Sequence, residues 1–271
     1  MKKAKLGFIG TGVMGGAMLA AVVKTGYLPP EDILIYDKDA ALVQRVAAAT
    51  GAVPAASAAA LARGAAVVQL GSKPQDFPVL LEEIGAALAE SDPLVISIAA
   101  GLELRRIEAL LPYQPRLVRT MQNINATIGE SMTAFCPNER VTAEERAFVE
   151  GYCGCFGKAV QLEERHFSAF LALAGSAPAF VYLFIDELAR AGVACGMGKA
   201  LALEVAAQTV LGSAKLLQGS ELHPYQLIDR VCSPAGTTIA GVEALQEYGF
   251  ANALHKAVHA AYDRDRALAS G

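Results

Sequence analysis

The 271-residue sequence predicts an α/β fold, with an N-terminal, mostly parallel sheet of the Rossmann type followed by an all-helical C-terminal half. Three observations carry that expectation. A short apolar run ends at Gly10-Thr11-Gly12-Val13-Met14-Gly15, strand and helix patterns alternate from residue 5 to about residue 162, and every later segment has helical spacing. Apolar strands alternating with helices make a parallel sheet covered on both faces.

Residues 5–9 end at glycines and read as a buried strand feeding a helix over 13–24. A second strand is expected at 33–36 and a helix at 39–49. Residues 66–70 make a further strand, and a helix starts after Pro74 and runs to about 90. Strands at 94–98, 117–121 and 132–135 continue the series, with helices at 103–111 and 142–153. The alanine-rich stretch 55–66 receives no element. The remaining helices are expected at 178–195, 199–218, 225–231, 235–248 and 250–269, punctuated by Gly196, Gly198, Gly219, Pro224 and Gly249. The domain boundary is placed at 161/162.

Composition narrows the class. Hydrophobic residues are 54% and charged residues 18%, against averages of about 45–50% and about 25%. The apolar excess implies a buried subunit interface. A formal charge of −4 without a dense Lys/Arg cluster argues against a nucleic-acid partner. Five cysteines, odd in number and without a C-x-x-C pair, read as free thiols of a cytoplasmic protein. The basic start Lys2-Lys3 does not open a secretory leader, because four glycines between 10 and 16 interrupt the apolar stretch. Residues 167–185 carry no charge, but Gly175-Ser176-Ala177-Pro178 interrupts them, so a buried helix behind a short loop is expected rather than a membrane span.

Two ends of the chain carry chemistry. In the glycine loop, Gly10 allows a tight turn, Gly12 lets backbone approach a pyrophosphate and Gly15 lets helix and strand pack, with Val13 and Met14 opening the helix on which phosphate would sit. Asp37 ends the second strand, where such folds place the acid that bonds the adenosine ribose. A carboxylate there repels a 2′-phosphate, so NADH is expected over NADPH. Gly71, Lys73 and Pro74 close another strand at the same sheet edge, where Lys73 can reach the cofactor. Far downstream, Ser233-Pro234-Ala235-Gly236-Thr237-Thr238 reads as an N-cap and first turn with bare N–H groups and two hydroxyls, a cradle for a small anion. No metal site is expected: His255 and His259 are an i, i+4 pair without a third ligand.

Together with the glycine loop, the segments Ser97-Ile-Ala-Ala-Gly101, Ala174-Gly-Ser-Ala-Pro-Ala179, Glu221-Leu-His-Pro224 and Ser233-Pro-Ala-Gly-Thr-Thr-Ile-Ala-Gly241 make the chain resemble the pyrroline-5-carboxylate reductase family over about residues 5–268. The resemblance implies reduction of the cyclic imine 1-pyrroline-5-carboxylate to L-proline, the last step of proline biosynthesis. It implies that Thr238 bonds the ring nitrogen, that the N–H groups of Gly236, Thr237 and Thr238 hold the carboxylate in the loop begun by Ser233 and Ala235, and that Glu221 steadies the cationic iminium. It places Asn123 by the nicotinamide and Ala99 at the cofactor, and leaves NADPH open as the reductant. It also implies a helical domain, 162–271, that forms an intertwined homodimer and binds substrate, with dimers assembling into rings of five. Three departures stand out: Ala235 replaces the family's usual glycine, Met121-Gln-Asn-Ile-Asn-Ala126 lacks both prolines of Met-Pro-Asn-Thr-Pro-Ala, and Gly71-Ser72 replaces Ala-Val. The rival readings are a cyclic-imine reductase with another substrate, a 3-hydroxyacid dehydrogenase and a non-catalytic dinucleotide-binding paralogue. The dehydrogenase needs an Asn four residues after its catalytic lysine, and Lys215 is followed there by Gly219.

Overall fold

The computed structural model describes residues 4–270, so Lys2 and Lys3 lie outside the described residues. An eight-stranded sheet has the order β3-β2-β1-β4-β5-β6-β7-β8. The strands are β1 (Ala4–Ile9), β2 (Ile33–Tyr36), β3 (Val53–Pro54), β4 (Ala65–Leu70), β5 (Leu94–Ser97), β6 (Arg116–Met121), β7 (Ser131–Pro137) and β8 (Gly157–Gln161). All neighbours run parallel except β6 and β7. That exception follows from chain length: the link between them is nine residues, too short for a parallel crossover, which needs about a dozen or more.

The helices that connect and cover the strands are α1 (Val13–Lys24), α2 (Ala40–Thr50), α3 (Ala58–Gly64), α4 (Phe77–Ser91), α5 (Leu104–Ala109) and α6 (Ala143–Gly154). Each has a local cause. Asp39 caps α2 by accepting from the N–H groups of Ala41 and Leu42, Ser57 caps α3 at Ala60, and Thr142 with Glu145 forms a capping box on α6. Apolar residues fill both faces of the sheet. Leu6 and Phe8 of β1 join Met18, Leu19 and Tyr152 on one side, while Ile9, Val68 and Leu70 join Leu61, Phe77 and Leu81 on the other. Glycine at residue 7 lets Leu61 of α3 pack onto the centre of β1, since a Cβ there would lie 2.4 Å from the Leu61 Cδ2.

Three short elements depart from the expected series. The alanine-rich stretch forms α3, and β3 and β8 extend the sheet at its two edges. The chain continues through α7 (Phe167–Phe170), α8 (Ala177–Ala194), α9 (Lys199–Gln218), α10 (Pro224–Val231), α11 (Thr237–Glu247) and α12 (Phe250–Ser270). Two compact units result, one of residues up to Gly175 with those from Tyr262 onward, the other Ser176–Ala261. The compact sheet unit extends beyond residue 161 because Phe167 is buried in its core and Phe170 and Leu171 pack there too.

Residues 167–185 do not form a helix behind a loop. Helical backbone is continuous over Glu164–Ala194, and the Gly-Ser-Ala-Pro segment is absorbed by a wider π-helical turn, Leu171–Ser176. Nor is this helix buried in its own chain: Val181, Tyr182, Leu183, Phe184 and Leu188 of α8 are exposed, as are Leu201, Leu203 and Leu211 of α9. By length and composition alone, both helices are apolar enough to cross a bilayer.

Candidate active site

The parallel pairing of β1 with β4 sets Ile9 opposite Leu70, so the loops that leave both strands start side by side. This is also where strand order reverses, the crevice at which doubly wound sheets bind ligands. Gly10 has φ +94°, and a Cβ on it would lie 2.8 Å from the Gly71 backbone. Gly71 in turn donates its N–H to Ile9 O at 2.7 Å. A Cβ on Gly15 would stand 2.2 Å from Gly10 O, whereas one on Gly12 would meet nothing within 4 Å. Two glycines are thus needed by the fold, and the third leaves open the side from which a pyrophosphate approaches. Gly12 is the N-cap of α1 with no side-chain cap bond, Val13 is exposed at its start, and Met14 anchors it on the core.

Asp37 does more than end β2. Its Oδ2 accepts from the Thr11 N–H at 2.8 Å and its Oδ1 from the Asp39 N–H at 3.1 Å, fixing the glycine loop to the next turn. Thr11 is fully buried, and its role was not visible in sequence because its partner lies 26 positions away. Gly10, Asp37, Lys38, Gly71, Lys73 and Asp76 line one cavity of about 620 Å³. Pro74 opens a single 3₁₀ turn directly after it, with Lys73 as N-cap. Ala99 is buried just past β5, its N–H bonded to Ser97 Oγ at 3.3 Å. The helix that follows is held by Glu164 Oε1, which accepts from Leu104 N–H and from the buried Arg119, whose guanidinium lies over the Phe167 ring.

The Asn123 amide is used by the protein. Its Oδ1 accepts from the Asn125 N–H at 3.0 Å, capping the 3₁₀ turn Ile124–Ile128, and its Nδ2 donates to Ala174 O at 2.8 Å. The side chain is a turn-former and a link to the π turn. With both prolines of the related motif gone, this amide and the Ser131 hydroxyl, which accepts from the Asn123 N–H, fix the loop.

In the helical unit, the segment Ser233–Thr238 corrects two expectations. Ser233 and Pro234 are not the N-cap and first residue of a helix: α11 starts at Thr237 with Gly236 as its N-cap. Pro234 and Ala235 are instead the central residues of a β-turn closed by Gly236 N–H donating to Ser233 O at 3.0 Å. The reason is that the φ near −65° of proline suits the second position of a turn as well as a first helical residue. Because its N–H closes the turn, Gly236 is not a free donor. The donors at the helix start are Thr237 and Thr238, and no side chain caps them. Thr238 is half-buried and Thr237 exposed. Glu221 is exposed in the link between α9 and α10, and His223 caps α10 reciprocally with Gln226.

A glycine loop over the β1/β4 crevice of a doubly wound sheet, matched over residues 5–101 by the family described as NADP oxidoreductase coenzyme F420-dependent, defines an NAD(P)-dependent oxidoreductase. Residues 164–268 match the pyrroline-5-carboxylate reductase dimerisation family, and over 266 residues the chain is 38% identical to a pyrroline-5-carboxylate reductase of Synechocystis sp., covering 97% of this chain and 98% of that one. The chain belongs to the pyrroline-5-carboxylate reductase family. Among solved structures, a pyrroline-5-carboxylate reductase from Coxiella burnetii matches with TM-score 0.93 at 28% identity, over 98% of both chains. The Plasmodium falciparum enzyme, determined with NADP bound, matches with TM-score 0.86 at 28% identity, over 99% of both.

Proposed function

We propose that this chain reduces 1-pyrroline-5-carboxylate to L-proline, holding the substrate at the start of α11. The observation that carries the proposal is a helix N-terminus whose first N–H groups have no side-chain cap and which bears the Thr238 hydroxyl, in a chain of this family. The N–H groups of Thr237 and Thr238 donate to the substrate carboxylate, favoured by the positive end of the helix dipole. The Thr238 hydroxyl bonds the ring nitrogen, and Glu221 stabilises the positive charge of the protonated imine. NAD(P)H, when bound, would supply the hydride for the imine carbon, and the ring nitrogen keeps its proton. The chain's residues therefore contribute positioning and charge more than acid strength.

Gly12 and the start of α1 would hold the pyrophosphate of a dinucleotide, and Asp37 its adenosine ribose. That carboxylate favours NADH over NADPH through repulsion of a 2′-phosphate. Lys73, in the same cavity, would contact the phosphates or ribose. Asn123 positions the nicotinamide side by fixing the loop after β6, and Ala99, buried just past β5, would stand at the cofactor. The apolar faces of α8 and α9 are covered by a second copy of the chain, giving a cytoplasmic homodimer that can build rings of dimers.

The test is a steady-state assay of the purified chain with pyrroline-5-carboxylate and its six-membered homologue, each with NADH and with NADPH. Turnover with kcat/KM highest for the five-membered ring and NADH is expected. Binding of NADH without turnover of either imine would sink the proposal.

A further inference from the structure

Ala235 has φ +56°. Only one other non-glycine residue among those described has positive φ, Asp92, which ends α4 and belongs to the residue types that tolerate the left-handed region. Alanine has no polar side chain to offset that conformation. With Pro234 restricting the second position to negative φ, positive φ at the third position makes Ser233–Gly236 a type II turn. A type I turn keeps the same closing bond and gives the third residue negative φ, which alanine favours over the left-handed region by about 5- to 30-fold. The two forms interconvert by rotating the Pro234–Ala235 peptide plane, which exchanges the sides on which its carbonyl and N–H point. The turn is also packed from within: a Cβ on Gly236 would fall 2.2 Å from Ser233 Oγ, so the serine hydroxyl sits directly over the N-cap.

We propose that Ala235 is a positioning residue, whose left-handed strain holds the Ser233–Gly236 turn between a carboxylate-accepting type II form and a relaxed type I form. This rests on the proposed carboxylate site at α11. Substrate binding selects the strained form, so part of the binding free energy goes into ordering the turn. Glycine at this position removes the preference for type I, because glycine adopts either sign of φ.

The experiment measures kcat and KM of wild type, Ala235→Gly and Ala235→Val with pyrroline-5-carboxylate and with 1-pyrroline, the same ring without the carboxylate, as substrate or competing ligand. The expected result is a fall of about fivefold in KM for pyrroline-5-carboxylate in Ala235→Gly, taken from the lower end of the left-handed penalty. A rise is expected in Ala235→Val, and neither variant alters KM or Ki for 1-pyrroline. An unchanged KM in Ala235→Gly overturns the proposal, as does an equal shift for both ligands, which would mark a purely structural role. Wild type that fails to reduce pyrroline-5-carboxylate overturns the site itself, an outcome distinct from a working wild type with an unresponsive Ala235→Gly.

Discussion

The amide nitrogen of Asn123 donates to the carbonyl of Ala174 across 2.8 Å and 51 positions of sequence. In an α-helix that carbonyl would accept from the N–H of residue 178, which is proline and has none. The loop after β6 thus gives this carbonyl, four residues before Pro178, a side-chain donor, and in doing so fixes its own turn.

Replacing Asn123 by alanine removes both bonds of its amide. The variant is expected to lose about 1–3 kcal/mol of stability, the cost of leaving a buried polar group unpaired. Urea denaturation checks this, and a midpoint equal to wild type would show that the link carries no stability.

Gly15→Ala places a methyl carbon where 2.2 Å separates it from Gly10 O. The loop or helix must shift, at a cost of about 1–3 kcal/mol for overpacking. NADH affinity, measured by fluorescence titration, is expected to fall with stability. Wild-type affinity would mean that the loop geometry does not bind the dinucleotide.

Asp37→Ser shortens the side chain, removes its charge and breaks the bond to Thr11 N–H. A charge-assisted bond is worth about 1.5–3 kcal/mol, so kcat/KM with NADH is expected to drop by at least about tenfold. The NADH-to-NADPH ratio falls with it because the repulsion of a 2′-phosphate is gone. A ratio that rises or stays level contradicts the role given to Asp37.

Alkaline pH should weaken the fold. Cys153 and Tyr152 are wholly buried in the sheet unit, and burial pushes both groups well above their ordinary values. Their neutral forms are thus favoured in the folded chain. Stability is complete below the unfolded cysteine value, about pH 8.5, and declines as pH rises through it toward the folded values. Melting temperature is expected to fall steadily above that pH, with a shallower slope in Cys153→Ala. Equal slopes would show that this thiol stays protonated in both states or ionises in both.

Sequence made the sheet legible because each long strand is an apolar run ending at a glycine or a polar turn, and the bounds of α1, β2 and α9 coincide with the pattern. It did not reveal β3, two residues long, or β8, whose Gly-Lys-Ala-Val-Gln lacks a clear alternation. The alanines of α3 fit helix and loop equally well without the Ser57 cap in view. Pro178 looked like a helix break because a proline inside an α-helix is one, and the π turn that admits it has no sequence signature of its own. At the candidate site, the glycine loop and Asp37 were readable from spacing. The Thr11–Asp37 and Asn123–Ala174 links are contacts between distant positions, and the positive φ of Ala235 depends on how Ser233-Pro234 is used.

In the proposed function, Thr238 and the start of α11 hold the imine. Its most direct measurement is the steady-state kinetics of Thr238→Ala with pyrroline-5-carboxylate, alongside a titration of NADH binding. The expected result is a fall in kcat/KM of at least about tenfold, corresponding to loss of one hydrogen bond to the protonated ring nitrogen, with NADH affinity unchanged. Wild-type kinetics in Thr238→Ala would contradict it.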